Sequence, residues 1–130
     1  MIVVDASVLA VALGDDGPDG TLARHRLRGE ILAAPELIDP ELLSVLRRGV
    51  ASGAMTAQRG TQAVTDLIDL PLRRVSHRPL LHRCWQLRNN VTSYDACYLA
   101  LAEILDVTLL TADQRLANAS GLRCAIELLN

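Results

Sequence analysis

The chain has no lysine and no phenylalanine, and only one tryptophan and two tyrosines in 130 residues. Without large rings the interior must be built from Leu, Val, Ile and Ala, which suits a β-branched sheet packed between Leu- and Ala-rich helices. So few aromatics also remove the usual stacking platform for single-stranded nucleic acid. A formal net charge of −2 excludes a protein that holds nucleic acid by bulk positive charge. It does not exclude a nuclease, whose metal site adds carboxylates that a bound divalent ion then overrides.

The three cysteines, Cys84, Cys97 and Cys124, are odd in number and form no C-x-x-C pair. There is no signal peptide and no apolar run near the ~20 residues a membrane span needs. A reduced, soluble, cytoplasmic protein with no membrane association is expected. His25, His77 and His82 have no metal-ligand spacing, which argues against a zinc enzyme.

Short β runs alternate with helical segments over residues 1–130, with no composition break or repeat, so one α/β domain is expected. Ile2-Val3-Val4 reads as a buried strand ending at Asp5, followed by a helix over 8–13 that stops at Gly14. DDGPDG (15–20) reads as a loop and TLARHRLRG as a surface helix. Residues 30–34 form the second strand candidate. Pro35 opens a helical segment, with a kink or a fresh start capped by Asp39 at Pro40 and an end at Gly49 or Gly53. Thr56 caps a helix reaching Leu70, residues 72–76 are a strand, and RPLLHRCWQLRNN is a helix. Thr92 caps the helix TSYDACYLALAE. Residues 107–111 are a strand, ADQRLANA a short helix, and 124–128 the last strand. Parallel pairing with right-handed crossovers follows from this alternation.

Four acids carry the chemistry. Asp5 and Asp113 each follow an apolar strand at a helix start, where a parallel sheet gathers its functional groups. Either is also suited to capping its helix. Asp95 and Glu41 lie in YDACYLALA and LIDPELLSVL, segments so apolar that a carboxylate there needs a hydrogen bond, a cation or a metal. Asp39 and Glu36 compete with Glu41 if the helix starts elsewhere. Oxygen-only ligands select Mg²⁺ or Mn²⁺ over zinc, and such ions activate water for attack on a phosphodiester. Ser7 and Thr111 are either hydroxyls supporting the acids or ordinary helix-start residues. Arg24, Arg26, Arg28, Arg47, Arg48, Arg73, Arg74 and Arg88 are candidates for phosphate contact or for solvated helix faces.

IVVDASVL, the acid in PELLSVLRRG, VTSYDACYLALAE and LLTADQRLA together resemble the PIN domain, and within it the VapC toxins of bacterial toxin–antitoxin pairs. The match runs from residue 2 to about 117. The resemblance implies a central parallel five-stranded sheet flanked by helices on both faces and Mg²⁺-dependent endoribonuclease activity. It also implies a homodimer and a cognate VapB antitoxin that blocks the site. Asp5, Glu41, Asp95 and Asp113 correspond to the family's acidic cluster, with Thr111 and Ser7 as supporting hydroxyls. Some relatives place a further acid where this chain has Leu116, which leaves a second metal with fewer ligands.

Other doubly wound folds fit less well. A phosphoacceptor receiver domain or a haloacid-dehalogenase-like phosphatase needs a lysine, and dinucleotide binding needs G-x-G-x-x-G after the first strand. The rival of another class is a PIN-fold binding module that has lost turnover.

Overall fold

The computed structural model describes residues 1–130. Its strands are β1 (Ile2–Val4), β2 (Leu32–Pro35), β3 (Leu72–Val75), β4 (Leu109–Thr111) and β5 (Ile126–Leu128). They form one sheet in the order β3-β2-β1-β4-β5, and every pairing is parallel. The expected five-stranded parallel sheet is therefore present. β1 is central and wholly buried, which is why Ile2-Val3-Val4 is apolar without alternation.

The helices are α1 (Ala6–Gly14), α2 (Pro18–Leu27), α3 (Ile38–Ala51), α4 (Ala57–Asp69), α5 (Leu81–Gln86), α6 (Ser93–Leu105) and α7 (Gln114–Ala117). α1 to α4 pack on one another, while α5 and α6 form a second group with α6 against β1, β2 and β4. That grouping is what right-handed crossovers give when the chain moves outward from β1 to β3 and returns to β4. The return reverses the strand order between β1 and β4, and a parallel sheet opens a crevice at such a point, beyond the strand C-termini. α6 is buried along Ala96–Ala102, an all-round apolar helix held between sheet and α5. No helix is long and apolar enough to cross a membrane.

Several expected boundaries move, each for a local reason. Pro35 does not open a helix; it is the last residue of β2, paired with Val75. Glu36 N–H donates to Val75 O at 2.9 Å, so the Pro35 nitrogen faces the β1 side. There the last pairing is Val3 with Ala33, and the missing N–H costs nothing. Asp39 does not cap α3, whose cap position is Leu37. Its carboxylate is taken instead by Arg74, at 2.7 and 3.0 Å. Pro40 falls in the first turn, where no intrahelical N–H is required, so no kink forms. α3 runs through Gly49 and ends before Gly53, whose φ of 81° terminates it. The DDGPDG loop is half helix, because Pro18 occupies the first turn of α2. The helix expected over 78–90 is a 3₁₀ turn (Arg78–Leu80) followed by the short α5. The cysteines are free, Cys97 buried and the other two half-buried.

Candidate active site at the β1/β4 crevice

Asp5 leaves β1 and caps α1, its Oδ1 accepting from the Val8 N–H at 3.2 Å. Capping uses only part of the carboxylate. Ser7 Oγ donates to the same oxygen at 2.5 Å and Thr111 Oγ1 donates to Oδ2 at 2.5 Å. The two hydroxyls also accept from the backbone beyond β4: Ala112 N–H reaches Ser7 Oγ at 2.9 Å and Asp113 N–H reaches Thr111 Oγ1 at 3.0 Å. Asp5 thus stitches the end of β1 to the end of β4. It is only 6 % exposed. Burial raises its pKa in spite of the Ser7, Thr111 and Val8 hydrogen bonds, and the charge of Asp95 adds to the rise.

Asp95 sits in the first turn of α6, where Thr92 Oγ1 accepts its backbone N–H at 3.2 Å. Burial raises its carboxyl too; Arg115 and Thr92 oppose the rise and the charge of Asp113 adds to it. Asp113 caps α7, its Oδ1 accepting Arg115 N–H at 2.9 Å. Burial would lift this carboxyl as well, but hydrogen bonds from the Arg115 side chain and from the backbone of Arg115 and Leu116 hold it below the ordinary range. Arg115 Nη2 lies 3.3 Å from Asp95 and 3.2 Å from Asp113, a guanidinium shared by the two acids.

Glu41 is in the first turn of α3 and half-buried. Burial pushes its pKa up, the Tyr98 hydrogen bond resists, and the charges of Asp95 and Asp5 add to the rise. Tyr98 Oη donates to Glu41 Oε1 at 2.7 Å. Asp39 is committed to Arg74 and Glu36 is exposed, so neither stands in for Glu41. The acids sense one another pairwise: Glu41 with Asp5 and Asp95, Asp5 with Asp95, Asp95 with Asp113. Tyr98 and Arg115 were not singled out from sequence. A tyrosine inside the apolar run of α6 was the available signal, because a buried hydroxyl needs a partner.

Residues 2–122 match the PIN domain family. The chain is a PIN-domain protein. It is 45 % identical over 127 residues to Ribonuclease VapC1 of Mycobacterium tuberculosis, covering 97 % of this chain and 96 % of that one, and so belongs with the VapC ribonucleases. The fold is shared with the crystal structure of M. tuberculosis VapC20, a "Sarcin-Ricin loop cleaving toxin", at a TM-score of 0.70 and 14 % identity over 95 % of this chain and 97 % of that one. It is shared also with VapBC2 from Rickettsia felis bound to a promoter DNA fragment, at a TM-score of 0.70 and 13 % identity, with both chains fully covered.

Within this PIN domain no group of three or more His, Cys, Asp or Glu side chains is placed closely enough to hold a metal ion. The donor set nonetheless suits a hard divalent ion. It offers only carboxylate oxygens, and the pKa of Asp5, Glu41 and Asp95 is raised by burial and by mutual repulsion that a cation would relieve. Arg115, more exposed than the acids it joins, supplies part of that positive charge. Of the arginines suggested for phosphate contact, Arg24 binds Ala12 O, Arg26 pairs with Glu127 and Glu30, and Arg74 pairs with Asp39. Arg88 lies over the Trp85 ring at 4.8 Å from its centroid. Arg28, Arg47, Arg48 and Arg73 are outside every ion pair of the structure.

Proposed function

We propose that this chain is a Mg²⁺-dependent endoribonuclease, with Mn²⁺ as a substitute, that acts as a cytoplasmic toxin restrained by a cognate VapB antitoxin. The observation that carries the reading is the chain of contacts at the β1/β4 crevice, where Asp5 is bonded to Thr111 at the end of β4 and Arg115 bridges Asp113 to Asp95. The ribonuclease names of its full-length relatives support the substrate class. The VapBC2 structure supports the antitoxin as partner.

Asp5, Asp95, Asp113 and Glu41 are the residues that would hold the ion. When bound, the ion supplies a water of lowered pKa and charge compensation at the phosphodiester. The protein's own contribution is orientation. Ser7 and Thr111 fix both oxygens of Asp5, and Tyr98 fixes one oxygen of Glu41, so the ligands are held by hydrogen bonds rather than left to rotate. The exposed apolar side chains Leu81, Trp85 and Ile104 support a homodimer, which sedimentation of the purified protein tests.

Purified protein freed of antitoxin should cut total RNA when Mg²⁺ or Mn²⁺ is added and stop when it is chelated. Asp5→Asn and Asp95→Asn should abolish cleavage while the circular dichroism spectrum is kept. No cleavage by the wild type with metal present, or full cleavage by both variants, would overturn the reading. Mapping the new RNA ends then identifies the target.

A further inference from the structure

We propose that the cleft beside Glu41 is a nucleotide subsite, in which the Tyr94 ring stacks on one base of a single-stranded RNA and Arg48 holds a neighbouring phosphate. The proposal rests on the ribonuclease reading above and names how the substrate is seated. The cleft has a volume of about 370 Å³ and is lined by the first three turns of α3, the start of α6 and Ala6 of α1. Glu41 is part of its wall, so whatever occupies it is continuous with the acidic crevice.

Three features select a nucleotide. Tyr94 immediately precedes Asp95, so its backbone position is set by the same helical turn that sets the acid. Its ring is 66 % exposed, which leaves a face free at the mouth of the cleft. A base stacks on such a face whatever its identity. The scarcity of aromatics still excludes an extended stacking platform, but a single base needs only one ring, and one of only three aromatic residues stands next to a candidate site acid. On α3, Arg48 is the sole cation lining the cleft, and it is outside every ion pair. It lies two turns of α3 beyond Glu41, roughly 10 Å along the axis, so a strand in the cleft brings to it a phosphate other than the one at the acids. The rest of the lining is mostly apolar, with Ala6, Leu37, Pro40 and Val45, and Ser44 offers one hydroxyl. That mixture fits a ring and a ribose.

The test uses the wild type and three single variants, with a mixed-sequence single-stranded RNA and its duplex form as probes. Tyr94→Ala should raise KM for the single strand on the order of tenfold with little change in kcat, and Tyr94→Phe should restore it. Arg48→Ala should also raise KM and reduce the dependence of log affinity on log salt by about one, which Tyr94→Ala should not do. RNA carrying 4-thiouridine should crosslink to the peptide that contains Tyr94. Both side chains are exposed, so the variants should fold. If the wild type cuts RNA while Tyr94→Ala and Arg48→Ala match it in KM, the subsite is wrong although the ribonuclease reading stands. If they match it in KM but lose the antitoxin, the cleft belongs to that partner and the proposal is overturned. A wild type that cuts no RNA with Mg²⁺ removes both.

Discussion

Replacing Thr111 with valine should destabilise the protein by an amount that grows with pH. Thr111 is completely buried and valine has nearly its shape, so the change deletes a hydroxyl and little else. Two hydrogen bonds go: the donation to Asp5 Oδ2 at 2.5 Å and the acceptance of Asp113 N–H at 3.0 Å. A hydrogen bond to a charged group contributes about 1.5–3 kcal/mol, and the backbone N–H, partly reachable by water, adds about 0.5–1 kcal/mol. The expected loss is about 2–4 kcal/mol at neutral pH, a large fraction of the ~5–15 kcal/mol that holds a domain of this size but not all of it. Burial already raises the Asp5 pKa, and Thr111 is among the groups that hold it down. The sign follows from linkage. A carboxyl whose folded pKa is raised favours the fold when protonated and loses that contribution as pH rises through its folded pKa. Removing a donor to the charged form deepens the loss at high pH and leaves the acid limit closer to a neutral hydrogen bond, about 0.5–1.5 kcal/mol. Urea unfolding of wild type, Thr111→Val and Thr111→Ser across pH measures this. The gap between wild type and valine should narrow toward acid, while serine, which keeps the hydroxyl, should show a smaller gap that does not depend on pH. A valine gap that is the same at every pH, or below about 0.5 kcal/mol throughout, would refute the claim that Thr111 stabilises a charged Asp5.

Tyr98→Phe leaves Glu41 without its donor, so cleavage should fall roughly 10–100-fold with secondary structure intact; steady-state kinetics beside a circular dichroism spectrum checks it, and unchanged turnover would show that Glu41 needs no orientation. Arg115→Ala removes the guanidinium between Asp95 and Asp113, and should tighten Mg²⁺ binding measured by titration calorimetry, because no resident cation then competes; weaker binding would contradict this. Arg83 pairs with Glu103 at 2.7 Å and reaches Gly121 O at 3.0 Å. Although burial works the other way, Arg83 and the Arg123 N–H hold the Glu103 carboxyl below the ordinary range, so this pair stabilises above that range and is lost on acidification. Arg83→Ala should cost about 3 kcal/mol at neutral pH and flatten that acid loss, and a thermal melt at two pH values decides it.

The elements most legible in sequence are those whose cause is local. β1 and β4 are short, wholly buried runs, apolar up to Thr111 at the end of β4, and Thr56 and Thr92 cap α4 and α6 through their own next-turn N–H groups. The misplaced boundaries have distant causes. Asp39 loses its cap to Arg74 of β3, 35 residues away, and Pro35 is tolerated in a strand because β1 has already turned into its helix. The candidate site divides in the same way. Acids at the ends of apolar runs can be picked out one by one, and the structure brings Asp5, Glu41 and Asp95 into mutual influence. Their partners cannot be picked out so easily, since Tyr98 meets Glu41 across 57 residues and Arg115 meets Asp95 across 20.

The stitch between the ends of β1 and β4 also orders events in time. Asp5 leaves the ribosome 106 residues before Thr111, which donates to it, and Asp113 is later still. Because β1 is the middle strand, no folded sub-assembly of the early chain can supply its β4 neighbour. Domains settle as units once their last structural segment is available. A nascent chain therefore carries an incomplete site until residue 113 has emerged, and any stop codon before residue 113 yields a product that never acquires one.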